Sequence, residues 1–157
     1  MQEIRAILAP TDFSSHAETA VRYACGLASR LGAVLHLLHV LNDVMPLGPD
    51  PMLAPVLPPD YYRETEGASR DALANLPDPS WGEPAGVETA VRWGNPVDQI
   101  VEYASGHAID LIVIATHGRT GLSHVLLGSV AERIVRAAGC PVLTIRDRDG
   151  SSSQVRV

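Results

Sequence analysis

Lysine is absent from this chain of 157 residues, and all 12 of its basic residues are arginine. A P-loop kinase needs the lysine of its G-x-x-x-x-G-K motif, and Schiff-base chemistry needs a lysine amine. The absence therefore excludes both classes of protein. A phosphate group bound by this chain would have to be held by arginine side chains and backbone amides.

Aromatic residues, cysteines and long apolar runs are also scarce. Only 4% of the residues are aromatic, so the core must be built from Ala, Val, Leu and Ile. Cys25 and Cys140 lack a C-x-x-C or metal-type spacing, and we expect both to be buried. The longest apolar run, Leu111 to Ala115, is far too short for a membrane span, and no signal-peptide pattern is present. We therefore expect a cytoplasmic protein, and the net charge of -6 argues against nonspecific binding to nucleic acid or anionic lipid.

Strand and helix patterns alternate along the chain. Apolar runs predict strands at residues 4–9, 33–41, 87–91, 111–115 and 141–146, with a helical pattern in each interval between them. Ser15 and Glu18 have the spacing of a capping box at the first helix, and Asn95-Pro96 predicts the start of another. This order predicts an α/β fold with one doubly wound, five-stranded parallel sheet and helices on both faces.

Two segments depart from this alternation. Residues 42–60 contain six prolines, which exclude a central strand or a helix interior, so this segment is either a functional lid or a disordered excursion. Residues 147–157 are polar and serine-rich and are predicted to be a flexible tail. Residues 1–146 are therefore predicted to form a single domain.

Ligands of doubly wound sheets bind beyond the carboxyl ends of the strands, where the strand order reverses. The stretch from Ala115 to Ser129 leaves such a strand end and runs into a helix, and it contains Gly118 and Gly121. At Gly128 a helix begins, where unpaired N–H groups and the helix dipole favour an anion. The stretch is therefore either a phosphate cradle or a tight connection, with Ser129 as a simple cap in the second case.

The histidines of the chain do not predict a metal site. His117 and His124 lie in the glycine-containing stretch but lack a third ligand at fixed spacing. His36 and His39 lie on the second strand and are expected to be packing residues. Asp110 precedes the fourth strand, at the end opposite to the expected site, and is a poor candidate for chemistry.

The element order from Ile4 to Arg146, with three local motifs, resembles the universal stress protein family. ATP-binding members carry a signature of G-x-x-G, nine further residues, and then Gly followed by Ser or Thr. Gly118, Gly128 and Ser129 fit this signature with nine intervening residues, and Ala115 stands in place of its first glycine. Pro10-Thr11-Asp12 after the first strand and His39-Val40 at the end of the second are also similar to the family.

The resemblance implies a Rossmann-like fold of the adenine nucleotide alpha hydrolase-like group that binds ATP. Asp12 would lie by the nucleoside, and the main chain of Val40 would meet the adenine edge. Arg119 is the candidate cation for the phosphates, and Mg2+ would be held mostly by phosphate oxygens and water. The predicted nucleotide-binding residues are Pro10, Thr11, Asp12, Val40, Ala115, Thr116, His117, Gly118, Arg119, Gly128, Ser129 and Val130.

The resemblance also implies a homodimer in which the last strand pairs with the same strand of a second copy. The predicted interface is formed by Val142, Leu143, Thr144 and Ile145. An apolar edge strand without such a partner is a liability for aggregation.

The sequence thus predicts an ATP-binding regulator or sensor of the stress response, with an unidentified regulatory protein as a further partner. It is not expected to be a dedicated enzyme, because no general base accompanies the loop, although slow hydrolysis stays open. The alternative is a protein-interaction dimer of the same fold that binds no nucleotide, which Ala115 and the proline-rich segment favour. The motifs G-x-G-x-x-G and G-x-S-x-G are absent, which excludes the dinucleotide-binding and α/β-hydrolase classes.

Overall fold

The computed structural model describes residues 3–42, 58, 60–116 and 128–146. The predicted tail, most of the proline-rich segment and residues 117–127 lie outside these described residues. The strands are β1 (Ala6–Pro10), β2 (Val34–Leu41), β3 (Gly86–Trp93), β4 (Leu111–Ala115) and β5 (Val142–Ile145). The helices are α1 (Ser15–Leu31), α2 (Tyr61–Asn75), α3 (Pro96–Gly106) and α4 (Ser129–Ala137).

The five strands form one parallel sheet in the order β3-β2-β1-β4-β5. The chain first builds outwards from β1 through β2 to β3, then crosses back and continues through β4 to β5. The predicted doubly wound sheet is therefore confirmed, and its switch point lies between β1 and β4. Among the described residues, no helix is long and apolar enough to cross a membrane.

Alternate residues of the strands enter two separate cores, because successive side chains of a strand point to opposite faces. The α1-side core holds Ile7, Leu35, Leu37 and Val113 against α1 and against Leu73 of α2. The α3-side core holds strand residues of the opposite parity, including Leu8, Leu38 and Ile114, against Ile100 of α3 and Ile134 of α4. Each fully buried Leu or Ile contributes about 1.5–3 kcal/mol to folding, so both layers of helices are held firmly on the sheet.

The start of α1 differs from the predicted capping box. The cap is Ser14, whose side chain accepts a hydrogen bond from the Ala17 N–H at 3.2 Å. The Ser14 N–H in turn donates to Asp12 Oδ1 at 3.0 Å, so the chain enters the helix one residue earlier than the Ser15–Glu18 spacing predicts. The helix ends at Gly32, which adopts the left-handed conformation with φ of 65°.

Asp110 has a structural role at the opposite end of the sheet. Its Oδ2 atom accepts hydrogen bonds from the backbone N–H groups of Arg5 (2.8 Å) and Ala6 (3.1 Å), which ties the start of β1 to the start of β4. Cys25 is buried as predicted, whereas Cys140 is only partly buried because it follows the exposed end of α4.

Candidate functional site

A cavity of about 360 Å³ opens at the carboxyl ends of β1 and β4, at the switch point of the sheet. Of the twelve predicted nucleotide-binding residues, nine line this cavity, and the other three (His117, Gly118 and Arg119) lie outside the described residues. The nine are Pro10, Thr11, Asp12, Val40, Ala115, Thr116, Gly128, Ser129 and Val130. The fold therefore brings together residues that are widely separated in the sequence.

Six further lining residues were not predicted from the sequence, and all are apolar. They are Ala17, Leu38, Pro96, Ile100, Ile114 and Ala131. Four of them also belong to the α3-side core, so the cavity floor is the part of that core nearest the carboxyl ends of the strands. Apart from Pro96, which the sequence predicts at a helix start, their signal in the sequence is the apolar periodicity that any core residue shows. An apolar floor with a few polar groups at the rim is typical of a small-molecule site.

The turn between β1 and α1 is held by two local hydrogen bonds, each between residues two apart in the sequence. The Phe13 N–H donates to Thr11 Oγ1 at 3.0 Å, and the Ser14 N–H donates to Asp12 Oδ1. Phe13 has a φ of 62°, which is rare for a bulky residue and costs about 1–3 kcal/mol. Such strain is characteristic of ligand-binding turns. Asp12, the residue before Phe13, lines the cavity.

The N-terminus of α4 faces the cavity without a side-chain cap, unlike those of α1 and α3. Ser14 caps α1, and Asn95 Oδ1 accepts from two N–H groups at the start of α3. At α4 the capping position is Gly128, which has no side chain to offer, and the first helical bond runs from Glu132 N–H to Gly128 O (2.9 Å). The N–H groups of residues 129–131 therefore have no partner within the helix.

The two ends of the glycine-containing stretch are fastened to each other. The Gly128 N–H donates to the Thr116 carbonyl at 2.5 Å, and the Thr116 N–H donates to the Ile145 carbonyl at 2.9 Å. The Gly128 N–H is therefore occupied, and the helix N–H groups at the cavity begin with those of Ser129 and Val130, followed by that of Ala131. Ser129 is the first helical residue and not the cap.

Ala115 is the last residue of β4 and is not among the described non-glycine residues with positive φ. The missing family glycine is therefore not needed here for backbone conformation. Its replacement by alanine adds one methyl group at a residue that lines the cavity.

Charge is sparse at the cavity. Asp12 is the one ionisable side chain among the described lining residues, and none of these residues is cationic. Within the described ranges, no three His, Cys, Asp or Glu side chains gather in a way that could hold a metal ion. An anion at this site would therefore be met first by the backbone N–H groups and dipole of α4.

A second group of ionisable side chains lies next to the cavity, about one turn further along α3. His36 Nδ1 on β2 lies 3.1 Å from the Tyr103 hydroxyl and 3.5 Å from Glu88 Oε2. The Tyr103 ring stacks on His107 with centroids 3.8 Å apart, and the Arg92 guanidinium lies 5.1 Å from its centroid. Burial lowers the pKa of His36, although the Glu88 carboxylate opposes this shift. His36 is thus a satisfied packing residue, as predicted.

β5 lies at one edge of the sheet and pairs only with β4 among the described strands. The carbonyls of Pro141 and Ile145 accept hydrogen bonds from Ile112 of β4 and from Thr116 directly after it. Residues two apart on a strand direct their backbone groups to the same side. Leu143 therefore also faces β4, while the backbone groups of Val142 and Thr144 face outwards. Pairing with a second copy stays a prediction.

Comparisons with known proteins agree with this geometry. The Universal stress protein family profile matches residues 3–146. A universal stress protein of Methanocaldococcus jannaschii is 34% identical over 140 residues, which cover 89% of this chain and 81% of that protein. The solved UspA from Lactobacillus plantarum is 28% identical with a TM-score of 0.72, covering 93% of this chain and 100% of that one.

Two structural neighbours contain adenine nucleotides. A universal stress protein in complex with cAMP has a TM-score of 0.69 and 24% identity, covering 92% of this chain and 98% of that one. The universal stress protein from Archaeoglobus fulgidus in complex with dAMP has a TM-score of 0.59 and 23% identity, with the same coverage. At these identities the two neighbours support the fold. The doubly wound sheet, the cavity at its switch point and the profile match over nearly the whole chain show that this protein belongs to the universal stress protein family.

Proposed function

We propose that this protein is a cytoplasmic, ATP-binding regulator or sensor of the stress response with little or no intrinsic hydrolysis. The observation that carries the proposal is the cavity at the switch point, where an uncapped helix N-terminus faces an apolar floor. The apolar floor fits an adenine ring, and the N–H groups of Ser129 and Val130 fit phosphate oxygens. Two proteins of the same fold are in complex with cAMP and dAMP, and we propose an adenine nucleotide as the ligand class of this chain as well.

The same lining argues against efficient hydrolysis. Phosphoryl transfer needs a positioned nucleophile and strong neutralisation of charge on the transferred group. Asp12 is the sole described side chain at the cavity that could act as a base, and its Oδ1 atom already accepts the Ser14 N–H. Mg2+ accompanying the triphosphate would be held mostly by phosphate oxygens and water, and Asp12 is the carboxylate that the described lining residues offer it. Arg119, which lies outside the described residues, is proposed as the cation for the phosphates.

The second candidate function is a protein-interaction dimer of the same fold that binds no nucleotide. Ala115 favours it, because the alanine narrows the cavity where the family signature has glycine. In both candidates we propose that the chain dimerises through β5, whose outward edge carries Val142 and Thr144.

Mass spectrometry of the ligand released from protein purified without added nucleotide separates the two candidates. We expect an adenine nucleotide in the extract, and competition titrations with ATP, AMP, cAMP and adenosine would then rank the ligands. An extract that contains no nucleotide, together with no detectable binding of ATP, AMP, cAMP or adenosine at millimolar ligand concentration, would favour the interaction dimer instead.

A further inference from the structure

His39 is buried on β2 and contacts the turn between β1 and α1, yet it does not line the cavity. Its Nδ1 atom lies 2.8 Å from the Thr11 carbonyl oxygen. Its ring lies 4.5 Å, centroid to centroid, from the ring of Phe13. His39 thus touches the residues on both sides of Asp12 in the sequence.

The chemistry of this contact fixes the protonation of the ring. A carbonyl oxygen only accepts hydrogen bonds, so Nδ1 of His39 must carry the proton and donate it. Because Nδ1 keeps its proton in both the neutral and the charged imidazole, the contact persists in either state. The bond stabilises a turn whose backbone is strained, since Phe13 has a φ of 62°.

The location of His39 explains why it acts indirectly. Leu35 and Leu37, on the same side of β2, belong to the α1-side core, whereas Leu38 and Val40 of opposite parity line the cavity. The His39 side chain is therefore separated from the cavity floor by the sheet. It reaches the site through the Thr11 carbonyl and the Phe13 ring.

We propose that His39 is a positioning residue, which holds the Thr11–Phe13 turn in the conformation that places Asp12 at the nucleotide cavity. The proposal rests on the proposed function, because the expected effect of His39 is a higher affinity for the nucleotide. It assigns His39 a role that is distinct from contact with the ligand.

The test compares three variants of the full chain. His39→Leu removes the donor, whereas His39→Asn keeps an amide N–H near the position of Nδ1. His36→Leu is the matched control, because His36 is also a buried histidine of β2 but bonds to Tyr103 on the other face. We expect His39→Leu to weaken ATP binding by about tenfold or more, since the hydrogen bond that holds the Thr11 carbonyl, and with it the turn that carries Asp12, is lost. His39→Asn should restore most of the affinity, and His36→Leu should leave it unchanged.

A second readout does not depend on the nucleotide. Hydrogen exchange of the Phe13 and Ser14 amides should accelerate in His39→Leu and recover in His39→Asn. The nitrogen shifts of the wild-type His39 ring should show a protonated Nδ1, which can be measured even if His39→Leu does not fold. Equal ATP affinity in His39→Leu and wild type, equal losses in His39→Leu and His36→Leu, or an unprotonated Nδ1 would overturn the proposal. Absence of ATP binding in the wild type would refute the proposed function, while exchange would still decide whether His39 holds the turn.

Discussion

Replacement of Gly128 by valine should strongly weaken nucleotide binding with little effect on the fold. Gly128 has φ of -64° and ψ of 149°, an extended conformation that valine adopts readily, and it caps α4 without a side chain. The change should therefore cost the fold about 0.5–1 kcal/mol. At the cavity, the branched side chain would stand before the N–H groups of Ser129 and Val130.

The loss in affinity follows from those two groups. A hydrogen bond to a charged partner contributes about 1.5–3 kcal/mol, so two of them contribute about 3–6 kcal/mol. Taking the lower bound, we expect ATP affinity to fall at least about 100-fold, since each 1.4 kcal/mol corresponds to a factor of ten. Gly139→Val is the matched control, because the added Cβ at Gly139, beyond the other end of α4, meets nothing within 4 Å.

Isothermal titration calorimetry of the wild type and both variants with ATP measures the effect directly. Thermal unfolding gives a second check, because ATP at 100 times its dissociation constant should add about 2.7 kcal/mol to the stability of the wild type. That gain should persist in Gly139→Val and vanish in Gly128→Val. Equal affinity in all three proteins would show that the N-terminus of α4 does not hold the phosphates.

Three further predictions concern Ala115, Thr144 and His36. Ala115→Gly should raise ATP affinity by removing a methyl group from the cavity lining, while lowering the free energy of unfolding by about 0.5–1 kcal/mol; a calorimetric titration that shows weaker binding would contradict this. Thr144→Pro removes an outward-facing N–H of β5 and should convert a dimer into a folded monomer in sedimentation, whereas an unchanged mass would place the interface elsewhere. Burial lowers the pKa of His36 in the folded chain, so this side chain binds a proton more tightly in the unfolded chain. The free energy of unfolding should therefore decrease as pH falls below about 6.5, the pKa of an unperturbed histidine. Urea unfolding at several pH values should show a weaker acid destabilisation in His36→Gln, and equal pH dependence would refute the assignment.

The sheet and most of the site could be predicted from the sequence because they depend on local patterns. Apolar runs bounded by turn residues predicted all five strands to within two residues at most ends, including β4 at Leu111–Ala115. The rule that ligands bind beyond the carboxyl ends of the strands then pointed to the stretch that follows Leu111–Ala115, and the cavity lies at that end of the sheet. The family signature supplied Gly128 and Ser129 at the start of α4.

Contacts across strands could not be predicted in the same way. The contact of His39 with Thr11 spans 28 residues and depends on the register of β1 beside β2. The apolar floor was also missed, because Leu38 and Ile114 have the pattern of ordinary core residues. Ser14 replaced Ser15 as the cap because Asp12, an unforeseen acceptor, bonds the Ser14 N–H and sets where the helix begins.

Titration of the wild-type protein with ATP in the presence of Mg2+ tests the central claim most directly. We predict saturable binding at one site per chain with a dissociation constant in the micromolar range, about 8 kcal/mol of binding free energy. The absence of saturable binding up to millimolar ATP would contradict it and would favour the interaction dimer instead.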